Sequence, residues 1–106
     1  MASAQPVAHA SGGCNISRGN VWHKLGPSYV EALNVTQTSC GTGENVVKAY
    51  NKCRLEAGGT KGYCHSKVLG FSCSEKRPGK SPVQFVARVQ CTAGRKAVSF
   101  TYSENT

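Results

Sequence analysis

Six cysteines in a short chain limit what it can become more than any other feature of the sequence. Cys14, Cys40, Cys53, Cys64, Cys73 and Cys91 lie in 106 residues at wide, irregular spacings. No two are separated by only two residues, so neither the paired knuckles of a zinc ribbon nor a redox-active dithiol motif is present. An even count at such spacings reads as three disulfides closed in an oxidising compartment. Six free thiols in a reducing cytosol would be a standing oxidation liability. The cysteines are therefore expected to be structural, and the chain to be secreted and extracellular.

The length allows one domain, and burial alone would leave it marginal. Hydrophobic residues make up 39% of the chain, with only three Phe, four Tyr and one Trp, while Gly reaches twelve. Disulfides are the expected supplement to so thin a core. Residues 1–13 are small and polar and contain no hydrophobic run of the kind a signal peptide carries. They read as a flexible tail at the start of a mature chain, followed by a single domain over 14–106. No stretch has the length and apolarity of a transmembrane helix.

Periodicity supplies the fold. Over 27–33 the signals conflict: Ser28 and Glu31 fit a capping box, whereas Tyr29, Glu31, Leu33 and Val35 alternate as in a strand. A strand is expected through about Val35 to Ser39. A helix follows from Glu44 to Leu55, with Val46, Val47, Tyr50 and Cys53 inward, and Lys48, Asn51, Lys52 and Arg54 largely outward. Gly58-Gly59 stops it. Three strands come next. Val68 to Glu75 places Leu69, Phe71 and Cys73 on one face. Val83 to Cys91 turns Val83, Phe85, Ala87, Val89 and Cys91 inward, and Ala97 to Ser103 does the same with Val98, Phe100 and Tyr102. Pro78 to Pro82 reads as a loop and Thr92 to Arg95 as a hairpin turn. The expected fold class is α+β: one α-helix packed on a mainly antiparallel β-sheet in the order β-α-β-β-β, stapled by three disulfides.

Fifteen pairings of six cysteines exist on paper. If the first strand and the Val68 strand run parallel around a right-handed crossover, Cys40 and Cys73 lie at one end of the sheet. Cys53 and Cys64 then flank the loop at the other end. The pairing expected on that topology is Cys40–Cys73, Cys53–Cys64 and Cys14–Cys91.

Charge is the remaining feature. Thirteen Lys and Arg face five acidic residues, for a net charge of +8. Lys76, Arg77, Lys80, Arg88, Arg95 and Lys96 fall on expected loops and outward strand positions. They form the candidate anion-contacting surface, attracting anionic partners through long-range, salt-sensitive forces. The bland alternative is a solvated face that keeps the protein in solution. Nothing comparable supports catalysis. Cys64-His65-Ser66-Lys67 would need a reduced Cys64 to act as a nucleophile, and His23 and His65 stand isolated, so no catalytic residue is assigned. Gly41-Thr42-Gly43 lacks the length and Lys-Ser/Thr of a phosphate loop. No metal, cofactor or dedicated nucleic-acid motif is expected, and Trp22 and Tyr29 are expected in the core.

Several short motifs together resemble small secreted domains of actinobacteria. They are Thr38-Ser39-Cys40, Val46-Val47-Lys48-Ala49-Tyr50, Gly70-Phe71-Ser72-Cys73, Val89-Gln90-Cys91-Thr92-Ala93-Gly94 and Ala97-Val98-Ser99-Phe100. The resemblance covers roughly residues 35–103 and implies no active-site residues. Some small basic proteins of that kind are bacteriocin-like. The expectation is a monomeric, non-enzymatic antibacterial protein acting on the anionic bacterial envelope or on an unidentified target protein. The alternatives are an inhibitor of an extracellular enzyme, inserting the Arg77 to Ser81 loop into a cleft, and a small secreted nuclease.

Overall fold

In a computed structural model the described residues are 12–16, 29–81 and 84–105, with the side chains of 79–81 and 105 excluded. Five strands, one α-helix and a 3₁₀ turn at Gly59–Lys61 are present among them: β1 (Gly12–Gly13), β2 (Tyr29–Thr36), α1 (Cys40–Gly58), β3 (Ser72–Ser81), β4 (Gln84–Ala93) and β5 (Lys96–Asn105). The strands form one sheet in the order β1-β2-β5-β4-β3, with every neighbouring pair antiparallel. The helix packs on one face of this sheet, which is the expected α+β class.

Ser39 is not the end of a strand, as the sequence suggests, but the N-cap of α1. Its side chain accepts a hydrogen bond from the Thr42 amide at 3.0 Å, satisfying a donor that the first turn leaves free. The helix therefore starts four residues earlier than expected, and β2 ends at Thr36. It terminates at Gly59, whose φ of 74° turns the backbone while its N–H reaches the Leu55 carbonyl. The buried stripe of α1 is Gly43, Val46, Val47, Tyr50, Asn51 and Arg54, a helical spacing that ignores the polarity of its last two members. Gly43 sets the approach of helix to sheet: a Cβ there would lie 2.7 Å from Val35 Cγ1.

The sheet contributes alternate residues to the core, with Leu33, Val35, Phe85, Val89, Val98 and Phe100 all at most 5% exposed. The expected inward residues Phe85, Ala87, Val89, Cys91, Val98, Phe100 and Tyr102 are buried on this face, and Val83 lies outside the described residues. Leu69 is not: it is 63% exposed, in a tight turn between Val68 and Phe71 that precedes β3. The stretch from Pro78 to Ser81, expected as a loop, belongs to β3. Proline is tolerated there because β3 is an edge strand, and the pairing with β4 is irregular between Lys76 and Gly79.

The disulfides are Cys14–Cys40, Cys53–Cys64 and Cys73–Cys91. Cys53–Cys64 is the expected bridge, and the other two exchange partners. The sheet order explains why. No parallel pair forms around the helix, because β2 pairs with β5 and β3 lies at the far edge. Three inter-strand steps of about 4.8 Å separate β2 from β3, too far for cysteines at their ends to be bridged. Cys73 and Cys91 instead face each other directly across β3 and β4. Cys14 follows β1, donates its amide to the Leu33 carbonyl at 2.8 Å, and reaches the first residue of α1. Gly12 and Gly13, expected in a tail, are thus held against β2. The rest of that tail and Trp22 and His23 lie outside the described residues, and Tyr29 is 53% exposed rather than buried.

Candidate functional site

Among the described residues the helix covers one face of the sheet and no element covers the other. Alternation brings to that open face the residues out of phase with the core, in two rows fixed by register. Asn34, Ser99, Gln90 and Ser74 follow one another across β2, β5, β4 and β3, and Ala32, Thr101, Arg88 and Lys76 form the row beside them. Together they line a hollow of about 480 Å³ with no acidic residue in its wall.

Two of the six expected anion-contacting residues therefore meet here. Lys76 and Arg88 are both exposed and stand directly opposite each other in register. Neither makes an ion pair or a side-chain hydrogen bond among the described residues. Like charges directly opposite each other on a sheet face are destabilising, a penalty that an anion lying between them relieves. Five polar neighbours, Asn34, Ser74, Gln90, Ser99 and Thr101, surround the pair with hydroxyl and amide groups. Reading the sequence for charge alone missed them. The strand alternation, followed in its outward phase, is the signal that finds them.

The other four cations separate. Arg95 and Lys96 are exposed at the β4–β5 hairpin. Lys80 lies in β3, but its side chain is outside the described residues.

Arg77 is not an exposed charge at all, with 8% of its side chain accessible. Phase explains this, since Cys73, Glu75 and Arg77 alternate toward the helix side of the edge strand. Its guanidinium lies 3.8 Å from the centroid of Tyr63 and 4.1 Å from that of Phe85. It donates to the carbonyls of Lys61 at 2.9 Å and Gly62 at 2.7 Å, and pairs with Glu75. Burial pulls the Arg77 pKa down, but the hydrogen bond and charge of Glu75 outweigh it, leaving the group above its ordinary value.

Glu75 also accepts from the hydroxyls of Tyr50 and, at 2.9 Å, Tyr102. Burial, reinforced by that carboxylate, raises both phenols well above the usual tyrosine range. Arg54, expected on the outer helix face, is fully buried, lies 4.6 Å from the Tyr102 ring centroid and pairs with Glu104. These polar groups are committed to one another and to the backbone, so they brace the domain and leave the open face as the available chemistry.

His65 is exposed and Cys64 is oxidised, which removes the thiol nucleophile from the Cys64-His65 pair. Among the described residues no cluster of three or more His, Cys, Asp or Glu is placed to hold a metal ion. No described helix is long and apolar enough to cross a membrane. No family model matches the chain, and neither a curated protein nor a solved structure matches it.

Proposed function

We propose that the chain is a secreted, non-enzymatic antibacterial protein of the bacteriocin-like kind, binding the anionic envelope of related bacteria through the open face of its sheet. The observation that carries this reading is the directly opposed pair Lys76 and Arg88, without an ion pair among the described residues, in a concave polar wall without acidic residues. A polyol-phosphate polymer suits it well: phosphate oxygens accept from the two cations, and sugar or glycerol hydroxyls exchange hydrogen bonds with Ser74, Gln90 and Ser99. The net charge of +8 concentrates the protein at such a surface before docking. Cys73–Cys91 ties the edge strand β3 to β4, so little conformational entropy is lost on binding.

The inhibitor reading loses its original support, because residues 77–81 form part of an edge strand and Arg77 is held inside. Cosedimentation with isolated envelopes, run beside a growth-inhibition panel of actinobacteria and unrelated species, tests the proposal. Retention on envelopes with inhibition of some related strain is expected. Failure to bind any envelope at low salt, together with no inhibition at micromolar protein, overturns it.

A further inference from the structure

Leu69 occupies a backbone position that its side chain disfavours. The turn Val68–Phe71 is closed by two reciprocal backbone hydrogen bonds, Val68 N–H to the Phe71 carbonyl at 2.9 Å and Phe71 N–H to the Val68 carbonyl at 2.8 Å. Its central residues both have positive φ, 50° for Leu69 and 84° for Gly70. That is the type I′ pattern, which strongly prefers Asn, Asp or Gly at its first central position. A large apolar residue in the left-handed region is an outlier, and this one gains no burial in return, being 63% exposed. Leu69 therefore opposes both local conformational preference and the hydrophobic effect within the isolated domain.

The surroundings indicate what it meets. The turn leads directly into β3, whose first residue Ser72 pairs with Thr92, and Thr92 pairs with Ala97. Leu69 thus lies at the same end of the sheet as the β4–β5 hairpin with its exposed Arg95 and Lys96, and His65 and Lys67 are exposed just before the turn. Residues 57–74 and 76–103 contain no acidic side chain. A leucine exposed at the end of the sheet that also carries Arg95 and Lys96, with no acidic residue in its own segment, matches an anionic lipid surface: the side chain enters the acyl boundary while the cations stay with the headgroups.

We propose that Leu69 is a membrane-inserting tip that docks this end of the domain on anionic lipid bilayers. The tip is distinct from the open sheet face, and the two are separable by mutation.

Partition of the intact, disulfide-bonded protein onto phosphatidylglycerol-containing vesicles, compared with pure phosphatidylcholine vesicles, is the test. Leu69→Asn supplies the Asn-Gly pair that the turn prefers. It is expected to raise the melting temperature by a few degrees while weakening partition about tenfold or more. Leu69→Phe is expected to keep most of the partition. Lys76→Glu/Arg88→Glu weakens polymer binding through the sheet face, whereas Leu69→Asn leaves that binding unchanged. Equal partition of wild type and Leu69→Asn would overturn the proposal. So would absence of wild-type partition onto anionic vesicles, which would turn attention to a protein pocket as the leucine's partner, or a fall in melting temperature for Leu69→Asn, which would make the leucine structural.

Discussion

Arg54, on the inner face of the helix, donates to Glu104 in the last strand, fifty residues further along the chain. The same guanidinium holds the Thr60 carbonyl at 2.7 Å, so one side chain ties the helix, the loop after it and the sheet together. Removing either partner strands a charge in a buried site. Arg54→Met or Glu104→Gln is expected to lower unfolding free energy by about 3–5 kcal/mol, measured by urea denaturation. Replacing both residues with apolar side chains is expected to cost less than either single change, because no unpaired charge then remains.

Arg77 and Arg88 have the same side chain and opposite fates. Arg77→Lys cannot stack between Tyr63 and Phe85 while also serving Glu75 and two carbonyls, and is expected to destabilise the fold by about 1–3 kcal/mol. Arg88→Ala is expected to leave stability within about 0.5 kcal/mol, since its head group is solvated and faces Lys76. Thermal melts of the two variants side by side check this contrast.

The buried phenols make the domain sensitive to base. Tyr50 and Tyr102 hold their protons more tightly when folded than at the ordinary value of 10.0. Below that pH both states are protonated and this stability is fully present. As pH rises above it, the unfolded chain loses the two protons first. Stability then falls by about 1.4 kcal/mol per pH unit for each tyrosine. Denaturation midpoints between pH 9 and 11 measure the slope, and the Tyr50→Phe/Tyr102→Phe variant is expected to flatten it.

The bridges are directly verifiable. Peptide mapping of the unreduced protein is expected to yield linked pairs Cys14–Cys40, Cys53–Cys64 and Cys73–Cys91. The intervening separations of 26, 11 and 18 residues correspond to about 3 kcal/mol of chain-entropy stabilisation apiece. Substituting both cysteines of any one bridge with Ser should lower the melting temperature by several degrees.

The helix, the two inward-alternating strands β4 and β5 and the Cys53–Cys64 bridge were legible because each depends on contacts near in sequence or on clean periodicity. The pairing of β2 with β5 was not, since nothing local distinguishes it from a parallel crossover, and two disulfides were mispaired as a consequence. Arg54 and Asn51 lie on the inner helical spacing, but their polarity argues for the outer face, and the Glu104 partner that lets Arg54 be buried comes from a strand fifty residues away. Arg77 was hidden by Pro78: reading proline as the end of the strand cut off the alternation that carries Phe71, Cys73 and Glu75 on to Arg77. The open site was half legible. Lys76 and Arg88 stood out by charge, whereas their facing register and the polar row beside them come only from the sheet order.

Binding of poly(glycerol phosphate) to the open face, followed across a series of salt concentrations, tests the central claim most directly. The wild-type protein is expected to bind with an affinity that falls steeply as salt rises. The Lys76→Glu/Arg88→Glu variant is expected to keep the wild-type melting temperature but lose about tenfold or more in affinity, with a shallower salt dependence. A variant that binds as tightly as wild type, with the same salt dependence, would contradict the assignment of this face as the site.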